Sequence, residues 1–135
     1  MVQNDALFNV NWKLQPGVSI FSTEWKPDTE TRVYEPVSDN GYKLTVSGIH
    51  KGQPYEWGYT ALYDGKDHPV YGRDDVDAIE AYRINEKITI GFFKKGGVLG
   101  GAYARKTDSD SLTVQAGGRR VDGTPYYDVV VYKKS

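Results

Sequence analysis

Short stretches of alternating apolar and polar residues, cut at roughly ten-residue intervals by turn-forming pairs, constrain this chain more than any other feature. The turn signals are Asp39-Asn40-Gly41, Lys51-Gly52, Asp64-Gly65, Asn85-Glu86, Lys95-Gly96-Gly97, Asp108-Ser109-Asp110 and Asp122-Gly123. Between them, strands are expected over 8–14, 31–37, 42–50, 55–63, 76–84, 87–94, 98–106, 111–116 and 126–132. No segment carries a helical stripe of any length. The connections are too short for parallel crossovers, so the strands are expected to be antiparallel neighbours. About nine amphipathic strands in sequence favour a sheet closed on itself, which removes exposed edges. The expected fold is therefore all-β, a single antiparallel up-and-down barrel of about eight to ten strands, wide enough for filling side chains or one small ligand. An immunoglobulin-like sandwich gets no support, because the chain has no cysteine for a Cys…Trp…Cys pattern.

At 135 residues the whole chain, 1–135, is expected to be one domain. The lack of cysteine removes disulfides, thiolate metal sites and cysteine nucleophiles. Seventeen Lys and Arg against 18 Asp and Glu leave a net charge of −1, which offers nothing for nucleic-acid binding by counterion release. No stretch reaches the ~18 apolar residues of a membrane-spanning helix. The start, Met1-Val2-Gln3-Asn4-Asp5, shows no basic and apolar leader pattern. The expected location is thus the cytoplasm, or the periplasm or exterior if a leader has been removed. A monomer or homodimer is expected.

Aromatic residues say most about the interior: there are 11 Tyr, 3 Trp and 4 Phe. The period of two puts Tyr55, Trp57, Tyr59, Ala61 and Tyr63 on one strand face, and Tyr42, Leu44, Val46 and His50 on one face of the preceding strand. Rings with polar tips give a cavity both apolar area and hydrogen bonds. A dry packed core is the alternative use of the same face. Tyr103 and Arg105 would join this lining if their face of 98–106 points inward, where Arg105 could meet a carboxylate or phenolate. Phe92, with Ile88 and Ile90, is assigned to the lining from 87–94. The long segment 15–30, with Pro16, Gly17, Pro27 and the apolar Val18, Ile20, Phe21 and Trp25, is expected to be a loop that lids or plugs one barrel end.

Three pieces of sequence carry a resemblance. Trp12-Lys13-Leu14 opens the first strand, Tyr63-Asp64-Gly65-Lys66-Asp67-His68-Pro69-Val70-Tyr71-Gly72 lies at mid-chain, and Val131-Tyr132-Lys133 closes the last strand. Together they resemble a group of small bacterial lipocalin-like proteins of the calycin type, mostly without assigned function. The resemblance spans nearly the whole chain and implies a barrel with an internal cavity, and no particular chemistry. Lipocalins proper have Gly-x-Trp in the first strand, where this chain has Val10-Asn11-Trp12.

The functional expectation is binding of a small hydrophobic or aromatic molecule by Tyr42, Tyr55, Trp57, Tyr59, Tyr63, Phe92, Tyr103 and Arg105. The alternative is a lyase, isomerase, hydratase or cyclase in the same cavity. His50 would be its general base, Tyr59 or Tyr82 an acid or oxyanion donor, and Glu80 a buried carboxyl of raised pKa. Glu80 reads equally as a solvent-facing residue, with Ile79 and Ala81 pointing inward. Such an enzyme would be cofactor-free, since no nucleotide motif or catalytic triad spacing is present. Gly96-Gly97-Val98-Leu99-Gly100-Gly101 has no helix to receive a phosphate, and Arg119-Arg120 reads as a charged loop. Asp64, Asp67 and His68 lie close in sequence, but Asp64-Gly65 reads better as a turn than as part of a metal site. No metal is expected.

Overall fold

The computed structural model describes residues 6–23, 25–38, 40–119 and 122–135. The Met1-Val2-Gln3-Asn4-Asp5 start, Asp39 of the Asp39-Asn40-Gly41 turn and Arg120 of the Arg119-Arg120 pair lie outside these residues. Eleven strands make one sheet: β1 (Trp12–Leu14), β2 (Ile20–Phe21), β3 (Thr29–Pro36), β4 (Gly41–His50), β5 (Gln53–Leu62), β6 (His68–Tyr71), β7 (Ala78–Arg83), β8 (Ile88–Lys95), β9 (Val98–Thr107), β10 (Ser111–Arg119) and β11 (Pro125–Lys134). The ring runs β1-β3-β4-β5-β6-β7-β8-β9-β10-β11 and closes where β1 pairs with β11, giving a ten-stranded antiparallel barrel. β2 attaches to β11 outside the ring.

The hairpins form where the turn residues allow. Lys51 and Gly52 both adopt positive φ, 48° and 79°, between the paired His50 and Gln53. Gly96 and Gly97 do the same between Lys95 and Val98. Two-residue loops of this kind match the twist of the flanking strands. One end of the barrel carries the β4–β5, β6–β7, β8–β9 and β10–β11 connections and is open. At the other end Leu7 and Phe8 are buried, and the Leu7 carbonyl accepts a 3.0 Å bond from Trp12 Nε1.

The expected faces hold on the first half of the ring: Trp12, Leu14, Tyr42, Leu44, Val46, Tyr59 and Ala61 are buried. β1 is shorter than the expected 8–14, because Asn9 takes a φ of 58° and its N–H bonds the Tyr34 carbonyl instead of extending a strand. The segment 15–30 is more ordered than a loop. It holds a 3-10 turn over Pro16–Val18 and strand β2, and its last two residues begin β3. β6 arises within a stretch that reads as turn, pairing only through Gly58 and Tyr59 on one side and Ala78 and Ile79 on the other.

On β8 the assignment of faces is corrected. Thr89, Gly91 and Phe93 point inward, while Ile88, Ile90 and Phe92 are only partly buried on the outer side. The cause is cross-strand. Thr89 pairs with Arg105 and Gly91 with Tyr103, so small inner residues of β8 make room for large ones of β9. A Cβ on Gly91 would sit 2.2 Å from the Tyr103 ring. Two apolar faces were available on β8, and the size of the neighbour chose between them.

Candidate functional site

The open end leads into a cavity of about 630 Å³. Its wall is mainly rings and aliphatic side chains: Leu44, Trp57, Phe93, Val114, Ala116 and Val130, with Phe21 and Trp25 from the 15–30 segment. Ligand sites of this volume are ordinarily apolar with a few placed polar groups. Asp74, Asp122, Tyr126 and Asp128 also line the cavity, and the other polar groups fall into three sets, each containing an arginine.

At the rim, Arg73 forks onto Asp75, with Nε to Oδ1 at 2.8 Å and Nη2 to Oδ2 at 2.6 Å. The guanidinium lies over Trp57 at 4.6 Å and Phe93 at 5.4 Å from the ring centroids. Gly72 lets this connection press against β5; its φ is +82°, and a Cβ there would meet the Glu56 carbonyl at 2.3 Å.

On one wall, Glu30 is 6% exposed and accepts three bonds. Tyr55 Oη donates at 2.7 Å, Arg32 Nε at 3.2 Å, and Tyr132 Oη also donates. Arg32 further lies over the rings of Tyr132 and Trp57, at 5.0 and 5.5 Å. Burial first, then the Glu30 charge and hydrogen bond, raise the Tyr55 pKa well above that of an ordinary phenol. Tyr132 is raised too, chiefly by burial, against the opposing pull of Arg32.

Toward the closed end, three phenols meet. Tyr42 Oη shares hydrogen bonds with Tyr59 Oη at 2.6 Å and Tyr103 Oη at 2.5 Å, while Tyr59 Oη reaches Tyr103 Oη only at 3.5 Å. Two short bonds use two of the three hydroxyl protons. When Tyr42 both gives and receives, the proton left over belongs to Tyr59 or Tyr103, the two that border the cavity. Burial raises all three pKa values, so the cluster is neutral at physiological pH. Beside it, Arg105 is 2% exposed and lies 4.6 Å from the centroids of both Tyr34 and Tyr42. Those centroids are 5.8 Å apart, too close to sandwich the guanidinium, so both rings flank it on one side. Nη2 donates to Thr89 Oγ1 at 3.0 Å, and Nε and Nη1 are buried with no hydrogen-bond partner. Burial opposes the charge, but a guanidinium does not give up its proton in a protein, so Arg105 is a buried cation.

Of the residues singled out from sequence, Tyr55, Trp57, Tyr59, Tyr103 and Arg105 lie on the cavity wall. Tyr42 sits behind the wall, holding Tyr59 and Tyr103, and Tyr63 packs on Tyr42 at 5.8 Å. Phe92 lies on the outer face against Tyr82. Tyr82 and Glu80 are outside as well, since β7 turns Ile79 and Ala81 inward, in line with the solvent-facing reading of Glu80. Glu80 accepts from Tyr82 Oη at 2.6 Å and pairs with Lys94 at 3.0 Å, which hold its carboxyl below the ordinary range. His50 is at the rim: its ring stacks on Trp25 at 4.8 Å, and Nδ1 donates to the Lys26 carbonyl at 2.9 Å. Its strand partner is Gln53, while Tyr55 pairs with Gly48, and the Trp25 ring contacts both His50 and Tyr55. Asp64 and His68 form a 2.9 Å pair, and among the described residues no three metal-ligating groups gather.

Sequence reasoning passed over Glu30, Arg32 and Tyr132, and charge patterning alone reads the 73–77 run, with Arg73, as a solvated turn. Along β3 the face Glu30-Arg32-Tyr34 is as polar as the face Thr31-Val33-Glu35, so alternation alone gave no inside. The chain matches no family model, no curated protein and no solved structure. The fold and the geometry therefore carry the functional reading.

Proposed function

We propose that this chain is a binding module of the lipocalin-like kind, holding one small hydrophobic or aromatic molecule inside the barrel. The observation that supports it is the open cavity of about 630 Å³ with Trp57, Tyr59, Phe93 and Tyr103 in its wall. Leucine and valine would fill a dry core with fewer polar atoms to satisfy. Here phenols and arginines instead border open space, so the wall offers ring faces for contact and a few donors for orientation.

Trp57 in the wall and Trp25 at the mouth make intrinsic fluorescence the direct readout. Titration with a panel of aromatic and isoprenoid compounds should give saturable quenching or a spectral shift for at least one of them. Ala116→Phe, which puts a ring into the cavity, should weaken that binding by about tenfold or more while the fold persists. No response across the panel, or unchanged affinity in the filled variant, overturns the reading.

A second reading is supported by the neutral phenols of Tyr59 and Tyr103 on the cavity wall, with Arg105 on the same wall. A neutral phenol beside a fixed cation can donate to an oxyanion as it forms, the requirement of cofactor-independent lyases, isomerases, hydratases and cyclases. In that reading Tyr59 and Tyr103 take the acid role, since His50, Glu80 and Tyr82 are off the cavity wall. The same titration tests it: a panel compound that is consumed, followed by absorbance, supports it, and unchanged compound throughout rejects it.

A further inference from the structure

Among the described residues three arginines border the cavity, and their charges are balanced differently. Arg73 has Asp75, and Arg32 has Glu30. Arg105 is the most deeply buried of the three, yet no Asp or Glu among the described residues pairs with it. Its one side-chain hydrogen bond goes to the neutral Thr89 hydroxyl, and two of its nitrogens have no partner at all. Burial holds Tyr42, Tyr59 and Tyr103 neutral, so none of these three supplies a counterion.

A buried cation without an anion is a costly arrangement, because burial removes hydration that nothing then replaces. The faces of Tyr34 and Tyr42 repay part of that loss through cation–π contact, but from one side only. Arg105 is a residue of the cavity wall, and Tyr59 and Tyr103 belong to the same wall. Planar forked donors next to phenolic hydroxyls match a planar anionic oxygen group.

We infer that the molecule held in this barrel carries an anionic oxygen group, a carboxylate above all, that docks on Arg105 with Tyr59 or Tyr103 as a second donor. This rests on the binding reading above and adds the charge of the ligand to it. The apolar part of the ligand lies against Trp57 and Phe93 toward the mouth. Arg32 and Arg73 do not compete for the anion, since each is already engaged by a carboxylate.

Cinnamate and its neutral amide, cinnamamide, separate charge from shape, and calorimetric titration of the full chain with each is the test. The wild-type chain should bind cinnamate about tenfold or more tighter than cinnamamide, the range of one charge-assisted hydrogen-bonded contact. Arg105→Met should bind both compounds alike, at the cinnamamide level, and Arg105→Lys should retain part of the preference. If Arg105→Met does not fold, the wild-type comparison and the lysine variant still decide. Equal affinity of the wild-type chain for acid and amide overturns the anion site while leaving the binding reading intact. A preference that survives in Arg105→Met also overturns it. Silence from both compounds, together with silence across the broader panel, overturns the binding reading and this inference with it.

Discussion

Two clusters on the cavity wall are built from the same parts, an arginine and buried phenols, and differ in one group. Arg32 shares Glu30 with Tyr55 and Tyr132, so charge and hydrogen-bond demand are both met inside the protein. Arg105 shares its surroundings with the rings of Tyr34 and Tyr42 and with the buried phenols of Tyr59 and Tyr103, and no Asp or Glu among the described residues pairs with it. The first cluster is complete as it stands and ties β3 to β5 and β11. The second is complete only in its neutral groups. A carboxylate placed on one arginine and withheld from its neighbour is the difference between a staple and a receptor for an anion.

Alkaline pH acts on both clusters and has the largest expected effect. Tyr42, Tyr59 and Tyr103 in one, and Tyr55 and Tyr132 in the other, all have folded pKa values raised above those of free phenols, burial being the first cause. A raised pKa means that the folded state keeps a proton the unfolded chain gives up. The stabilisation is therefore whole below pH ~10 and is lost as pH rises beyond it, by up to about 1.4 kcal/mol per pH unit for each phenol. Thermal melts should show a steep fall in Tm between about pH 9 and pH 11. Phenolate absorbance from these groups should appear only with unfolding. A flat Tm across that range would mean that the phenols ionise in place and the clusters are looser than described.

Substitution separates the two clusters. Glu30→Gln removes the only negative charge from the first and leaves Arg32 buried without its anion; the expected loss is roughly 3 kcal/mol in urea unfolding. Arg105→Met removes a charge that has no partner to strand, giving up one hydrogen bond to Thr89. Its stability should stay within about 1 kcal/mol of the wild-type chain. Comparable losses from the two variants would erase the distinction, because they would show Arg105 to be as well compensated as Arg32.

The barrel was legible in the sequence because its signals are local. Turn pairs such as Lys51-Gly52 and alternation such as Tyr55-Trp57-Tyr59 report on their own strand, and a closed antiparallel sheet needs little else. Tyr103 and Arg105 could be named, but not placed, since the inner face of β9 depends on what β8 leaves open at Gly91 and Thr89. Glu30 could not be found at all: its role exists only across the ring, where Tyr132 from the last strand and Tyr55 from β5 converge on it. His50 shows the opposite failure. Its strand position was read well enough, but at the rim its ring stacks on Trp25, from a segment with no periodicity, instead of reaching Tyr59 in the cavity wall. Contacts between distant strands decide polar interiors, and a periodicity of two carries no record of them.

The smallest expected effect comes from the second place where tyrosine, carboxylate and cation meet, the outer face of β7 and β8. Glu80 accepts from Tyr82 and pairs with Lys94, which also holds Asp67 at 2.9 Å. In composition this group resembles the Glu30 cluster. Its location reverses the expectation, since exposed ion pairs gain little from attraction that water and salt screen. The Tyr82 hydrogen bond, then Lys94, lower the Glu80 pKa, so whatever it contributes is present above the ordinary carboxyl range and fades as pH falls below it. Glu80→Ala should leave Tm at neutral pH unchanged within error and leave the cinnamate affinity as it is. A clear fall in either would place the outer cluster in the binding machinery, and burial would no longer be what distinguishes the working groups of this barrel from the rest.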